Sequence, residues 1–247
     1  MFISVVTAII SITIMFLNDL LFPKFCLGCS YIGVYICRSC QDKLKPIKSD
    51  SCFYCKKPSL FGLTHFNCTK KYNIDGMLAI YYYNPILKKI IKNIKYRLAM
   101  DVWKEFYKII EPQVITKLGF YKRLSSDYII QPIPLSKIKY NERGFNQAYL
   151  ISTFFQKILH FPIIDLLVRK KETSSQAQIK NKGGRYLNVR GAFAINPNRR
   201  DAKFCVSTKN IILIDDVVTT GSTIAEAAKI LRKAGAKKVY VLALAKG

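Results

Sequence analysis

The hydrophobic pattern near the end of the chain predicts two strands joined by a helix. Unbroken apolar runs over residues 211–214 and 239–244 predict strands, and the spacing of apolar positions over 223–234 predicts a helix. Gly235 is expected to close this helix, because glycine accepts the left-handed conformation common just past a helix end. This order and spacing are typical of a βαβ unit in a parallel sheet.

Earlier segments carry the same two kinds of pattern. Strands are predicted over residues 74–83, 128–134 and 163–168, and helices from Asn84 onward and over 99–117 and 145–160. The alternation predicts an α/β fold. Residues 167–209 hold eleven Lys or Arg against two acids, with Gly183 and Gly184 in the middle. This segment is predicted to be a mobile loop or a long hairpin and not a core element.

The first residues form a separate apolar stretch. Residues 2–18 carry no charge, and the run is about as long as the shortest membrane span, roughly 17 to 20 residues. It lacks the leading positive charge and the small-residue cleavage site of a secretory signal. We predict a helix within residues 1–22 that packs on the protein or rests on a membrane, with a spanning helix less favoured. The expected location is cytoplasmic, with peripheral membrane contact through residues 2–22.

Composition adds a strong charge bias. The chain has 247 residues, half of them hydrophobic, which is enough for a substantial core. Lys and Arg number 40 against 15 Asp and Glu, so the net charge is +25. Such an excess indicates polyanionic partners, namely phosphates, nucleic acid or an anionic membrane; a proteome rich in lysine is the alternative explanation. Only two histidines are present, which disfavours mechanisms built on several histidines.

Seven of the eight cysteines lie between residues 26 and 68. A Cys-x2-Cys turn places two sulfurs on one side of a tight knuckle, and two such knuckles close a tetrahedron around zinc. A redox Cys-x2-Cys would be single and tied to a thioredoxin-like unit, which is absent here. We predict two structural zinc ions in a module spanning 23–70, bound in sequence or interleaved between pairs. The predicted ligands are Cys26, Cys29, Cys37, Cys40, Cys52, Cys55, His65 and Cys68.

The most informative motif follows the strand at 211–214. Asp215 and Asp216 come first, and a Thr-Thr-Gly-Ser-Thr turn at 219–223 then opens the predicted helix. Backbone N–H groups and four hydroxyls at a helix start make a cradle for a phosphate. No lysine follows the glycine, so this is not a Walker A loop. Two acids beside such a cradle suit a ligand that also presents hydroxyls, such as a sugar phosphate, or one that brings a divalent cation.

This stretch resembles the signature of type I phosphoribosyltransferases, which bind phosphoribosyl pyrophosphate. The resemblance implies that Asp215 and Asp216 are catalytic and face the ribose hydroxyls, with Mg²⁺ accompanying the donor. It also implies that residues 132–143 form a pyrophosphate loop and that 167–209 supply a flexible basic loop. The residues that it assigns to binding the phosphate and the rest of the donor are Val217, Val218, Thr219, Thr220, Gly221, Ser222 and Thr223.

One departure from that signature limits the substrate. Enzymes of this kind that use 6-oxopurines have a carboxylate at the position of Thr219. A threonine hydroxyl cannot act as a general base at neutral pH. The sequence therefore argues against hypoxanthine or guanine as the acceptor.

Motifs along most of the chain resemble the ComF family. The cysteine knuckles are followed by Lys95-Tyr96-Arg97, then Pro-Ile-Pro-Leu at 132–135, Glu-Arg-Gly-Phe-Asn-Gln at 142–147, and the signature. The resemblance covers about residues 20–247, with His65 in place of a cysteine and a longer apolar N-terminus as departures. It implies a zinc finger joined to a phosphoribosyltransferase-like domain, here 71–247, with a link to DNA uptake in natural transformation.

Three basic residues join the predicted donor site through this resemblance. Arg143 is expected near the pyrophosphate, and Lys95 and Arg97 follow the helix that begins at Asn84. Without the resemblance, charges at helix ends are usually just solvated.

Two functions of different class are predicted. In the first, the protein handles incoming single-stranded DNA, with Tyr186 and Phe193 among the cations of 167–209 stacking on bases, and contacts DNA-uptake or recombination proteins. In the second, it is an active phosphoribosyltransferase acting on a nucleobase or related acceptor. The phosphoribosyl pyrophosphate or ribose 5-phosphate site is common to both.

Overall fold

A computed structural model describes residues 21–95, 99–124, 127–172 and 182–247. Within these ranges, four parallel strands form a sheet and two short antiparallel strands form a ribbon. The order in the sheet is β1-β6-β5-β2, and the ribbon is β3-β4. The strands are β1 (Gly76–Tyr82), β2 (Tyr128–Pro132), β3 (Leu167–Arg169), β4 (Phe193–Ile195), β5 (Asn210–Val218) and β6 (Val239–Lys246).

Helices connect the strands and cover both faces of the sheet. They are α1 (Arg38–Gln41), α2 (Pro85–Ile94), α3 (Ala99–Lys117), α4 (Gly119–Lys122), α5 (Lys137–Arg143), α6 (Gln147–Leu159), α7 (Lys182–Val189), α8 (Ala202–Thr208) and α9 (Ser222–Lys233). Short 3-10 turns lie at Leu60–Gly62 and Phe66–Cys68. The α/β fold with a parallel sheet is therefore confirmed.

Strand alternation divides the core into two layers. In β6, Tyr240 and Leu242 point into the layer that contains α2, α3 and α6, whereas Val239, Val241 and Ala243 face α9. Successive side chains of a strand point to opposite faces, so a parallel sheet covered on both sides needs continuous apolar runs. The unbroken run in β6 has this origin.

The cysteine-rich segment packs on the sheet and covers its edge. Cys26, Ile36, Cys40 and Leu44 belong to the same buried cluster as α2 and β1. Ile47 N–H donates to the Ile80 carbonyl at 2.9 Å, so the chain entering the second half of the segment pairs with β1. Edge strands otherwise expose unpaired backbone groups. The segment thus completes both the core and the sheet.

The predicted βαβ unit is confirmed, with one change at its start. Strands β5 and β6 are parallel neighbours, α9 lies between them in the chain, and Gly235 has a φ of 105° just past the helix. Strand β5 extends to Val218, so Asp215 and Asp216 lie within the strand and do not follow it. The two carboxylates are therefore fixed by the sheet ladder.

Two predictions between β2 and β5 were wrong. Residues 163–168 form no full strand: Ile163 makes a single parallel bridge with Ile130, and the strand β3 lies later and pairs with β4. The described parts of 167–209 include the predicted long hairpin, as the antiparallel pair β3-β4, but the expectation that they contribute no core element is wrong. They contain α7, β4 and α8, which bury Val189, Phe193 and Val206 against α9. Single apolar residues spaced among cations are enough to anchor these short elements.

Some predicted features lie outside the described residues. Arg97 is one of them, and so is nearly all of the apolar stretch within residues 1–22. In the described part of the chain, no helix combines the length and the apolar character needed to cross a membrane.

Candidate functional site

A pocket opens where strands β2 and β5 end. Its volume is about 260 Å³. The wall on one side is residues 133–135 and α5, which follow β2, and on the other side the turn after β5. In parallel α/β sheets, ligands bind at the carboxyl ends of neighbouring strands. The pocket therefore lies where the sequence predicted a donor site.

The turn at 219–223, which we call the phosphate loop, forms the floor of this pocket. All five of its residues line the cavity, together with Val217 and Val218. Gly221 has a φ of 76° and is the residue before the first turn of α9. The first N–H groups of a helix lack partners within the helix and carry its positive end. The loop is therefore suited to an anion.

Hydroxyls add to this cradle. The Oγ atoms of Thr220 and Ser222 are 3.0 Å apart and hydrogen-bond each other. The residue at the start of α9 is Gly221, which has no side chain and so makes no capping hydrogen bond. An anion bound here would complete the helix start.

An ion pair joins the acidic pair to the end of α2. Lys95 Nζ lies 2.5 Å from Asp216 Oδ2, and 27% of the lysine side chain and 17% of the aspartate side chain are exposed. Each aspartate Oδ1 also accepts a backbone N–H from the next residue, Asp216 N–H to Asp215 at 2.9 Å and Val217 N–H to Asp216 at 2.8 Å. The carboxylates are thus held in place before any ligand binds.

The pKa values of the two carboxyl groups are shifted in opposite directions. Burial and the neighbouring Asp216 charge raise the pKa of Asp215 well above its ordinary value. Burial, the largest single effect, disfavours the charged form of Asp216, but the charge and hydrogen bond of Lys95 together with other hydrogen bonds to the carboxylate lower the pKa of Asp216. Burial, the largest single effect, lowers the pKa of Lys95, but the charge and hydrogen bond of Asp216, with the charge of Asp215, together raise it. One acid is therefore firmly ionised while the other holds its proton more readily.

Three more cations surround the cavity. Arg143 lies at the end of α5 and donates to Gln147 Oε1 at 2.8 Å. Lys139 stands one turn earlier, and Arg169 lies at the end of β3 with its guanidinium 5.4 Å from the Phe193 ring centroid. Burial lowers the pKa of Lys139, and the charges of Arg169 and Arg143 add to this. Cations that repel one another in one pocket indicate an anionic ligand.

Sequence reasoning placed Lys95 and Arg143 in this site and missed Lys139 and Arg169. A signal existed for Lys139, which lies inside the predicted pyrophosphate loop at 132–143. Arg169 is brought in by the β3-β4 ribbon. The sequence predicted a long hairpin over 167–209 but not which of its cations would reach the pocket. The expectation that Phe193 stacks on bases is wrong, because this ring is only 3% exposed and lies against Arg169 and α9. Tyr186 is 43% exposed.

The eight predicted metal ligands form two clusters of four. Cys26, Cys29, Cys37 and Cys40 make the first, which we call cluster 1. Cys52, Cys55, His65 and Cys68 make cluster 2. Within each cluster the ligand atoms lie within 4.8 Å of one another. The clusters are therefore sequential, which decides between the two arrangements that the sequence left open.

The geometry of both clusters fits a tetrahedral metal ion. Cys29 Sγ lies 3.5 Å from Cys37 Sγ, and Cys55 Sγ lies 3.2 Å from His65 Nδ1. His65 Nε2 is 3.1 Å from the Pro58 carbonyl, the kind of outer contact that orients a ligating imidazole. A Cβ on Gly28 would lie 2.4 Å from Cys40 Sγ, so only glycine allows this knuckle to close. Each cluster can hold one metal ion.

Comparison with known proteins places the chain in a family. A model named phosphoribosyl transferase domain matches residues 150–247. The chain is 30% identical over 212 residues to competence protein ComFC of Bacillus subtilis, covering 81% of this chain and 79% of that protein. It belongs to the ComF family. Another relative, competence protein F of Haemophilus influenzae, is 28% identical over 85% of this chain and 90% of its own length.

The ComF relatives extend beyond proteins named for competence. The DNA utilization protein YhgH of Escherichia coli is 26% identical over 66% of this chain and 68% of its own length. The phosphoribosyltransferase match begins within α6 and includes β5, the phosphate loop and α9. The family assignment made from the motifs is therefore confirmed.

Proposed function

We propose that this ComF-family protein handles incoming single-stranded DNA in natural transformation and binds phosphoribosyl pyrophosphate in the pocket at the end of β5. The observation that carries the donor site is the meeting of a phosphate loop, a carboxylate pair and four cations in one cavity of about 260 Å³. A phosphate alone would not need the acids, and a neutral sugar would not need the cations.

Each part of the donor has a matching part of the pocket. The 5′-phosphate lies on the phosphate loop and accepts from backbone N–H groups at the start of α9. The ribose hydroxyls donate to Asp215 and Asp216. The pyrophosphate faces Lys139, Arg143 and Arg169 on the opposite wall, and Mg²⁺ bound with it would offset the remaining negative charge. Lys95 keeps Asp216 ionised and so ready to accept.

The metal clusters have a structural role in this proposal. Thiolate and imidazole ligands in sets of four fit Zn²⁺ and leave no open coordination position for chemistry. Cluster 1 stabilises the part of the core that it shares with α2, and cluster 2 lies beside the phosphate loop. We propose one zinc ion in each.

The DNA-handling part of the proposal is supported by charge and by the relatives. The net charge of +25 favours a polyanion. The segment 167–209 contributes exposed Arg190, Arg200 and Lys203, and the exposed ring of Tyr186 lies one helical turn before Arg190. Cations with an aromatic ring among them are typical of sites that bind single strands without sequence preference. The names of the relatives, competence and DNA utilization, agree with this function.

An active phosphoribosyltransferase is the second candidate. It is favoured by the retention of both carboxylates with an intact phosphate loop, since binding DNA requires neither. Thr219 supplies no general base, so the acceptor would have to react without one at that position. Released pyrophosphate that depends on an added base would favour this candidate.

Two titrations of the purified protein test the proposal. Calorimetry with phosphoribosyl pyrophosphate and Mg²⁺ is expected to show one site per chain, and a short single-stranded oligonucleotide is expected to bind at low salt. The absence of donor binding would contradict the proposed donor site. The absence of oligonucleotide binding, together with base-dependent pyrophosphate release, would replace DNA handling with transferase activity.

A further inference from the structure

The loop of cluster 2 touches the phosphate loop directly. A Cβ on Gly221 would lie 2.1 Å from Phe53 Cζ and 2.7 Å from Phe53 Cε2. The Phe53 ring therefore fills the space beside the Gly221 backbone, in the position that a side chain would otherwise take. Phe53 is partly buried and packs against the core cluster that contains α9. The Phe53 ring thus packs directly against the turn that precedes α9.

The ring is held in place from the metal side. Phe53 stands between two ligands of cluster 2, Cys52 and Cys55. The loop closes tightly, because Cys52 N–H donates to the Lys57 carbonyl at 2.9 Å and Lys56 N–H donates to the Cys52 carbonyl at 3.0 Å. A bound metal ion would fix both ends of this short loop. The orientation of Phe53 would then depend on the cluster.

Neighbouring groups fix the ring further. Tyr54 meets Phe53 edge-on with centroids 5.0 Å apart, and its hydroxyl accepts from Ile74 N–H at 2.9 Å. Lys56 Nζ lies 4.7 Å from the Phe53 ring centroid. Aromatic and cation contacts of this kind reduce the number of orientations open to the ring.

A second contact links the same loop to the strand ends. Lys246 Nζ donates to Ser51 Oγ at 3.1 Å, one residue before the first ligand of cluster 2. Lys246 pairs in register with Val218, the last residue of β5, and Gly247 N–H donates to the Val218 carbonyl at 3.0 Å. The cluster 2 loop therefore contacts the connection between β5 and α9 directly at Gly221, and it also contacts Lys246 of β6, which pairs with the last residue of β5.

We propose that Phe53 is a positioning residue that holds the phosphate loop in its anion-binding form, so that cluster 2 and the loop are coupled. The inference rests on the proposed donor site for its functional meaning. Backbone N–H groups that are already in position bind an anion without a further loss of conformational entropy. Without the Phe53 ring, the loop would have to become ordered on binding, and its affinity for the anion would be lower. Because coupling between two sites is reciprocal, a bound donor also raises the affinity of cluster 2 for its metal.

The chain offers a matched control in the same cluster. Phe66 stands between the other two ligands, His65 and Cys68, as Phe53 stands between Cys52 and Cys55. Its side chain is 92% exposed. Phe66→Ala removes the same ring beside the same metal site without altering the phosphate loop.

Amide hydrogen exchange in the unliganded, zinc-loaded protein is the first test. Phe53→Ala is expected to speed exchange of the amides at residues 220–224, while Phe66→Ala leaves them as in the wild type. Zinc content is measured in the same samples, and Phe53→Leu, which keeps apolar bulk, is expected to give an intermediate rate. If Phe53→Ala loses zinc, amide exchange in Phe53→Leu is compared with that in the wild type and Phe66→Ala instead. Loop exchange equal to the wild type in a zinc-loaded Phe53 variant would overturn the inference, whether or not any donor binds.

Titration with phosphoribosyl pyrophosphate and Mg²⁺ is the second test. Phe53→Ala is expected to weaken binding about tenfold, a typical coupling between sites, with Phe66→Ala unchanged. A wild type that does not bind the donor would contradict the proposed function, whereas equal affinity in the wild type and Phe53→Ala would contradict only the coupling. The double variant Phe53→Ala with Gly221→Ala is expected to bind better than Gly221→Ala alone, because the added methyl group then has room.

Discussion

Lys95 Nζ contacts Asp216 Oδ2 at 2.5 Å and so joins the end of α2 to strand β5 at the mouth of the pocket. The pKa of Asp215, the preceding residue, is raised, whereas that of Asp216 is lowered. Two adjacent acids therefore have pKa values shifted in opposite directions, and the ion pair with Lys95 favours the charged form of Asp216. This asymmetry can be tested by replacing each acid in turn.

Asp215→Asn is expected to stabilise the unliganded protein. The raised pKa means that the folded state binds the proton of Asp215 more tightly than the unfolded state. Stability is therefore lost as pH rises from the ordinary carboxyl range toward that raised pKa. An amide removes the loss, so the free energy of unfolding at pH 7 should rise by roughly 1 kcal/mol. Urea unfolding between pH 4 and 8 measures this, and a variant less stable than the wild type at pH 7 would contradict it.

Asp216→Asn provides the opposite case. Its lowered pKa contributes stability above the ordinary carboxyl range, which is lost as pH falls through the lowered value. The amide leaves the Lys95 ammonium, 27% exposed, without its counter-charge, so the free energy of unfolding at pH 7 should fall by roughly 1 to 2 kcal/mol. The same urea unfolding measures this, and an Asp216→Asn variant as stable as the wild type at pH 7 would show that the ion pair contributes nothing.

Lys139 is expected to bind the anionic end of the ligand. Lys139→Ala removes one of the clustered cations and should weaken inorganic pyrophosphate binding about tenfold, in line with a charged hydrogen bond. Lys137→Ala is the matched control, since Lys137 is exposed on the same helix and does not line the pocket. Competition or calorimetric titration reports the affinity. Similar losses in both variants would indicate a general effect of net charge and not a contact in the pocket.

The sequence predicted regular elements well where local signals agreed. Helix α3 has the predicted bounds, and α2 begins where Asn84 accepts from Leu87 N–H at 2.9 Å. The eight residues of clusters 1 and 2 followed from the spacing of the cysteines and His65. Positions set by tertiary contacts were missed. Arg169 lines the pocket because it lies on a three-residue strand, and Phe53 contacts Gly221 although the two residues are 168 positions apart in the sequence. No local pattern distinguishes such residues from ordinary solvated cations or packed rings.

Metal analysis of the purified protein is expected to give about two zinc ions per chain, one for each cluster of four ligands. Cys26→Ser should remove one equivalent and destabilise the region severely, because metal binding supplies much of the folding energy of such sites. Cys205→Ser is the control, since Cys205 belongs to neither cluster. Folded protein without zinc and with freely reactive thiols would contradict the prediction.

Single-stranded DNA is expected to bind with a steep dependence on salt. Each phosphate neutralised on a single strand adds a slope of roughly −0.7 to the plot of log affinity against log salt concentration. Replacing the exposed Arg190, Arg200 and Lys203 with Gln should flatten this slope, whereas Asp216→Asn should leave it unchanged. Fluorescence anisotropy over a salt series measures it. A slope that the triple variant shares with the wild type would place the DNA elsewhere on the protein.

The most direct test of the central claim is a calorimetric titration of the wild type and Gly221→Val with phosphoribosyl pyrophosphate and Mg²⁺. Valine at this position combines a φ of 76° with a clash against Phe53, and so distorts the phosphate loop. Zinc content and circular dichroism establish that the variant is folded. We predict one donor site per chain in the wild type and a loss of affinity of at least about tenfold in Gly221→Val. No binding heat in the wild type, or equal affinity in a folded variant, would contradict the assignment of this pocket.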